Sequence, residues 1–149
     1  MADNRTTIDD RVWQKLVLRL KDLDEKRVKI GVIGKSDVAE IATIHEFGAP
    51  GANIPARSFI RGTFRDRGPL TEVTAKLATR VIKGGLVIER ALGLLGTWAE
   101  AQIKRTIRNR IPPPLKPATI AAKGSSVPLI DTGRLINSIT WEITNNSEE

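Results

Sequence analysis

PLIDTGRLINSITWEI, residues 128–143, places a turn, a helix start and a strand within one short run, and its reading decides the fold. Asp131 follows the apolar pair Leu129-Ile130 and precedes Thr132, Gly133 and then Arg134-Leu135-Ile136. A carboxylate at that position is expected to cap a short helix by accepting hydrogen bonds from its first N–H groups, with Gly133 letting the chain turn closely. After Ser138 the period changes to two: Ile139, Trp141 and Ile143 alternate with Thr140, Glu142 and Thr144, the pattern of a half-buried strand. A second alternation lies far upstream, where Val28, Ile30 and Val32 are interleaved with Lys29, Gly31 and Ile33, and reads as the first strand.

Helical periodicity fills the intervening sequence. Ile8, Val12, Leu16, Leu20 and Leu23 recur at helical spacing ahead of the first strand. Gly34-Lys35-Ser36 then turns the chain, and a short helix is expected over Val38 to Phe47, opened by Asp37 with Glu40 three residues on and closed by Gly48. Ala49 to Pro55 reads as a loop, because two prolines and a glycine remove helical options. Pro69 starts a further helix with Leu70, Val73, Leu77 and Val81 as its stripe, broken at Lys83-Gly84-Gly85. The longest pattern runs from Leu86 to about Asn109, with Ile88, Leu92, Leu95, Ala99, Ile103 and Ile107 as its buried face. Its small residues, Ala91, Gly93, Gly96, Ala99 and Ala101, imply close backbone approach, to the sheet or to another subunit. Ile111 to Pro114 ends this helix, a short helix follows within Leu115 to Gly124, and Ser125 to Val127 link it to the opening stretch.

The expected fold class is α+β: a small, mainly antiparallel sheet including Val28 to Ile33 and Ser138 to Thr144, packed against one long central helix and flanked by helices over 8–23 and 69–83. A single domain is expected over 1–149, with a peripheral N-terminal helix in 1–27, a core in 28–143 and a polar tail in 144–149 that frays.

Composition bounds the function classes. With 40% hydrophobic and 28% charged residues the chain has the balance of a soluble globular protein. The absence of cysteine excludes disulfides, thiolate metal sites and cysteine nucleophiles. MADNRTTIDD has no basic flank followed by an apolar run, so no secretory leader is expected, and no apolar stretch is long enough to cross a bilayer. A net charge of +7 favours acidic partners without naming one.

Few residues carry a chemical signal. Arg57, Arg61 and Arg65 are spaced by four, so a helical segment would align them as a stripe suited to phosphate or an acidic protein surface, or as a solvated face. Lys104, Arg105, Arg108 and Arg110 are more simply explained as cations complementing the dipole at a helix C-terminus. His45 is the lone histidine, and a partly buried helix residue is its plainest reading, since no second histidine completes a metal pair. Asp131-Thr132-Gly133 matches the tripeptide of aspartic proteases, in which two close carboxylates share a proton. It occurs once here and runs into a helix-compatible segment, so only a homodimer would complete such a site. No cofactor, metal site or catalytic residue is expected.

Three segments together carry a resemblance to a known family: Val38 to Phe64, the amphipathic helix Leu86 to Arg108, and Leu115 to Ile143. The matching elements are Ile44 to Gly48 followed by Ile54-Pro55-Ala56-Arg57 and Phe59, then Pro117 and Thr119, Lys123-Gly124, and Pro128 to Gly133 with Leu135 and Ser138-Ile139. This resembles the small neck proteins of tailed bacteriophages, the tail-completion or head-to-tail joining class also known as virion morphogenesis proteins. The span covers about two-thirds of the chain and leaves out the N-terminal helix. The resemblance implies a virion protein without catalytic activity that forms a homo-oligomeric ring, sixfold at the tail side, at the head–tail junction. Its implied partners are further copies of itself, the tail tube protein, and the capsid connector or head-closure protein. Double-stranded DNA would pass through the lumen without specific binding, and no membrane is involved. Because ring contacts are heterologous, two different surfaces are needed. Arg57, Phe59, Arg61 and Arg65, with the proline run Pro112, Pro113 and Pro114, are the candidate interface, and Trp141 is a further anchor if exposed. The competing reading, from the basic balance and the two basic clusters, is a sequence-independent DNA-binding protein.

Overall fold

The computed structural model describes residues 10–34, 37–124 and 126–146. Ile8, Lys35, Ser36, Ser125 and the tail residues 147–149, to which the sequence assigned a helix start, a turn, a link and a frayed end, lie outside the described residues. Helix α1 (Asp10–Glu25) leads into strand β1 (Lys26–Val32), then α2 (Asp37–Phe47), α3 (Gly68–Ile82), α4 (Ile88–Arg108), α5 (Pro117–Lys123), α6 (Arg134–Ser138) and β2 (Ile139–Asn145). The fold is α+β, as the two periodicities require.

The two strands pair antiparallel, with Val28 opposite Ile143, Ile30 opposite Trp141 and Val32 opposite Ile139. The register thus sets apolar side chains directly across from one another and fixes which face meets the core. That face lies on α4, whose 21 residues span about 31 Å. Gly96 is where the two layers come closest: a Cβ there would overlap the Trp141 ring, and one at Gly93 would stand 3.3 Å from the same ring. Gly93 and Gly96 therefore serve the sheet, whereas Ala101 is exposed. Trp141 fills this groove and is half-buried.

The core gathers Ala42, Phe59, Ile103, Ile107, Leu129, Leu135, Ile136 and Ile139 from α2, the following loop, α4, the turn before α6, α6 and β2. Each large member contributes about 1.5–3 kcal/mol through burial. By contrast α1 buries no residue. Of its expected stripe, Leu16 and Leu23 are partly covered, whereas Val12 and Leu20 are exposed. Trp13 and Val17 fall on the same side as this stripe and Leu18 lies off it, so α1 is amphipathic, yet Val12, Trp13 and Leu20 of its apolar side remain exposed.

Candidate functional site

Two structures grow from the end of α2. Gly48 closes the helix with φ +79, and its N–H bonds the Ile44 carbonyl at 2.7 Å. A Cβ at Gly48 would sit 2.8 Å from the Ala56 nitrogen, so the returning chain uses the space of a missing side chain. The loop between them closes on itself through paired hydrogen bonds linking Ala49 and Ile54. Arg57 N–H then bonds the His45 carbonyl at 2.7 Å.

The first structure is a carboxylate-centred turn. Glu46, 4% exposed, accepts from the Ser58 hydroxyl at 2.6 Å, from Ile60 N–H at 2.9 Å, and from Arg61 N–H and Nε at 3.0 Å each. Arg61 also donates from Nη2 to the Glu46 carbonyl at 3.0 Å, and its guanidinium lies 4.3 Å from the centre of the Phe47 ring. Burial pushes the Glu46 carboxyl up, but the hydrogen bonds from Ser58, Ile60 and Arg61 outweigh it and hold the group below the ordinary glutamate range.

The second is a cleft of about 830 Å³ between α2, the 52–57 loop, the proline segment, α5 and the 128–135 turn. Arg57, 6% exposed, lines it, its Nε donating to the Pro113 carbonyl at 3.0 Å. Lys123 stands beside it, held by its Nζ to the carbonyls of Val127 and Pro128 at 2.9 Å each. His45 Nδ1 is buried with no hydrogen-bond partner. Burial, then the positive charges of Arg57 and Lys123, keep the His45 ring below the ordinary histidine range. Burial lowers Lys123, Asp131 opposes it, and Arg57 adds to the lowering. On the cleft lining Arg57, Lys116, Lys123 and Arg134 outnumber the one carboxylate, Asp131.

The structure separates the expected interface residues. Arg57, Arg61 and Arg65 do not form a stripe, because residues 58–65 make a turn rather than a helix: Gly62 N–H is taken by the Ser58 hydroxyl and Thr63 N–H by the Ile60 carbonyl. Arg57 enters the cleft, Arg61 lies on Glu46, and only Arg65 is exposed without such an engagement. Phe59 is 0% exposed and belongs to the core rather than the surface. Pro112, Pro113 and Pro114 are exposed, with Pro113 and Pro114 on the cleft wall. Asp131 is exposed and does not cap α6. The N-cap is Gly133, in the left-handed region at φ +79, with no side-chain capping bond. Asp37, at the start of α2, pairs with Arg134 across the cleft edge. Glu46 is the residue that sequence reasoning missed, although its place four residues after Ala42, the other buried residue of α2, hints at the inward face.

Among the described residues no group of three or more His, Cys, Asp or Glu side chains is placed to hold a metal ion, and no helix is long and apolar enough to cross a membrane. Comparison with family models, curated proteins and solved structures found no match.

Proposed function

We propose that the protein is a structural subunit of a bacteriophage virion, forming a homo-oligomeric ring at the head–tail junction that completes the tail, joins it to the capsid connector or head-closure protein, and lets DNA pass. The observation that carries this reading is the convergence of the segments on which the resemblance rests. Val38 to Phe64, α4 and Leu115 to Ile143, far apart in sequence, share one hydrophobic core. The peripheral α1, outside the resemblance, packs around that unit without a buried residue. Exposed apolar side chains on separate elements, Trp13 and Leu18 on α1, Phe47 at the end of α2 and Val87 before α4, are suited to the two unlike surfaces of a heterologous ring. Arg65, still exposed, remains the arginine available to a neighbour or an acidic partner ring.

For the DNA-binding alternative, Arg57 and Arg61 of the first basic cluster are engaged within the protein, whereas Arg105, Arg108 and Arg110 of the second are exposed. Deleting the gene from the encoding phage tests the ring. Unjoined full heads and finished tails, restored to particles by the wild-type protein but not by a Trp13→Glu/Leu18→Glu double variant, are expected in electron micrographs. Normally joined particles in the deletion would reject the reading. Filter binding to duplex DNA at two salt concentrations is expected to show only weak retention, and tight, steeply salt-dependent retention would restore the alternative.

A further inference from the structure

Buried charges in folded proteins are paired, because stripping a guanidinium of water without compensation is costly. Arg57 departs from this rule. Only its Nε is bonded, to a neutral carbonyl, and no carboxylate among the described residues lies within ion-pair distance of it. Its remaining N–H donors belong to a side chain that lines the cleft. His45 lines the same space, although its unpartnered Nδ1 is itself buried. Lys123 and Lys116 add positive charge, Arg134 is occupied by Asp37, and Asp131 is the single carboxylate of the lining. A deeply placed guanidinium without a carboxylate partner and a surplus of positive charge therefore converge on one cavity.

The walls narrow the ligand. Val38, Ile41, Ile54, Leu129 and Leu135 give the cleft apolar sides, which suit an anion on a hydrocarbon stem better than a fully hydrated phosphate. Arginine offers two parallel donors that match a carboxylate. The cavity, at about 830 Å³, holds more than one acidic side chain. On one edge Lys116 is extended beside the exposed Pro114, and an extended segment of a partner can lie along it. We propose that this cleft receives a carboxylate on an apolar stem, presented by an extended peptide segment of a partner protein, with Arg57 and Lys123 holding the charge and the aliphatic walls holding the flanking residues.

His45 provides a clean reporter, because it is the chain's one histidine. The full chain is titrated, by NMR of the His45 ring and the Arg57 Nε–H, with the blocked tripeptide acetyl-Leu-Glu-Leu-amide, its Gln counterpart, hexanoate and inorganic phosphate. The Glu peptide is expected to shift the Arg57 signal and to move the His45 titration upward, since a bound anion offsets the neighbouring cations. The Gln peptide is expected to bind at least tenfold more weakly, as loss of a charge-assisted hydrogen bond implies. Arg57→Gln is expected to lose at least tenfold in affinity while keeping its thermal transition, and Lys123→Gln provides a second variant if the first fails to fold. Equal binding of the Glu and Gln peptides, phosphate binding as tight as the Glu peptide, hexanoate binding without peptide binding, or no site-specific shift at millimolar peptide would each overturn the proposal. Ring assembly is read separately by microscopy, so failure here is distinguishable from failure of the ring.

Discussion

Two buried charges eleven residues apart in sequence are treated in opposite ways by this fold. Glu46 collects four hydrogen bonds, so its charge organises the turn from Ser58 to Arg61. Arg57, almost as deeply placed, has one bond to a neutral carbonyl and otherwise lines open space. The difference separates a charge spent on structure from one left for something outside the chain. Burial alone does not distinguish the two; the number and kind of partners does.

Glu46→Ala should break the comparison from the structural side and have the largest effect. It strands Ile60 N–H and Arg61 N–H and removes the acceptor of the Ser58 hydroxyl and of Arg61 Nε, while Arg61 Nη2 keeps the carbonyl of residue 46, so a loss of about 2–4 kcal/mol is expected in urea unfolding. Arg57→Gln tests the other side. Because it removes an uncompensated buried charge, stability is expected to stay within about 1 kcal/mol of wild type or to rise. A loss as large as that of Glu46→Ala would show that Arg57 is structural after all.

Acid separates the two regions further. His45 is depressed in the folded state, so the unfolded chain takes up the proton first, and stability is full above about pH 6.5 and falls as pH drops below it. Glu46 is depressed as well, so its contribution is present above the ordinary glutamate value, about 4.3, and is lost as pH falls through the folded value. Unfolding at pH 7.5 and 5.5 should therefore report the cleft alone. Arg57→Gln is expected to shrink that difference, since Arg57 is one of the groups that disfavour the charged ring. The smallest effect is expected from Asp131→Asn: this exposed residue caps nothing, so denaturation should move by no more than about 0.5 kcal/mol.

The α+β class and the two strands were legible because alternation at 28, 30, 32 and at 139, 141, 143 is a local signal, whereas their register was not, since a slip of two residues keeps the same side chains on the same face. The long helix was legible for the same reason, to within two residues at its start. The cleft was not. Arg57 and Arg61 suggest a stripe only if 57–65 is helical, and the Ser58 hydroxyl, which takes the Gly62 N–H in place of a helical carbonyl, decides otherwise. Likewise Asp131 has the composition of a cap, yet a left-handed Gly133 occupies the capping position. Glu46 was hidden because its burial is created by a turn that folds over it from later in the chain.

The contact between Gly96 and Trp141 has a consequence for inheritance. With room for a hydrogen atom at 96 and an indole at 141, the two positions behave as one heritable unit: a side chain gained at 96 requires a smaller ring or none at 141, and their substitutions are expected to arise as a pair.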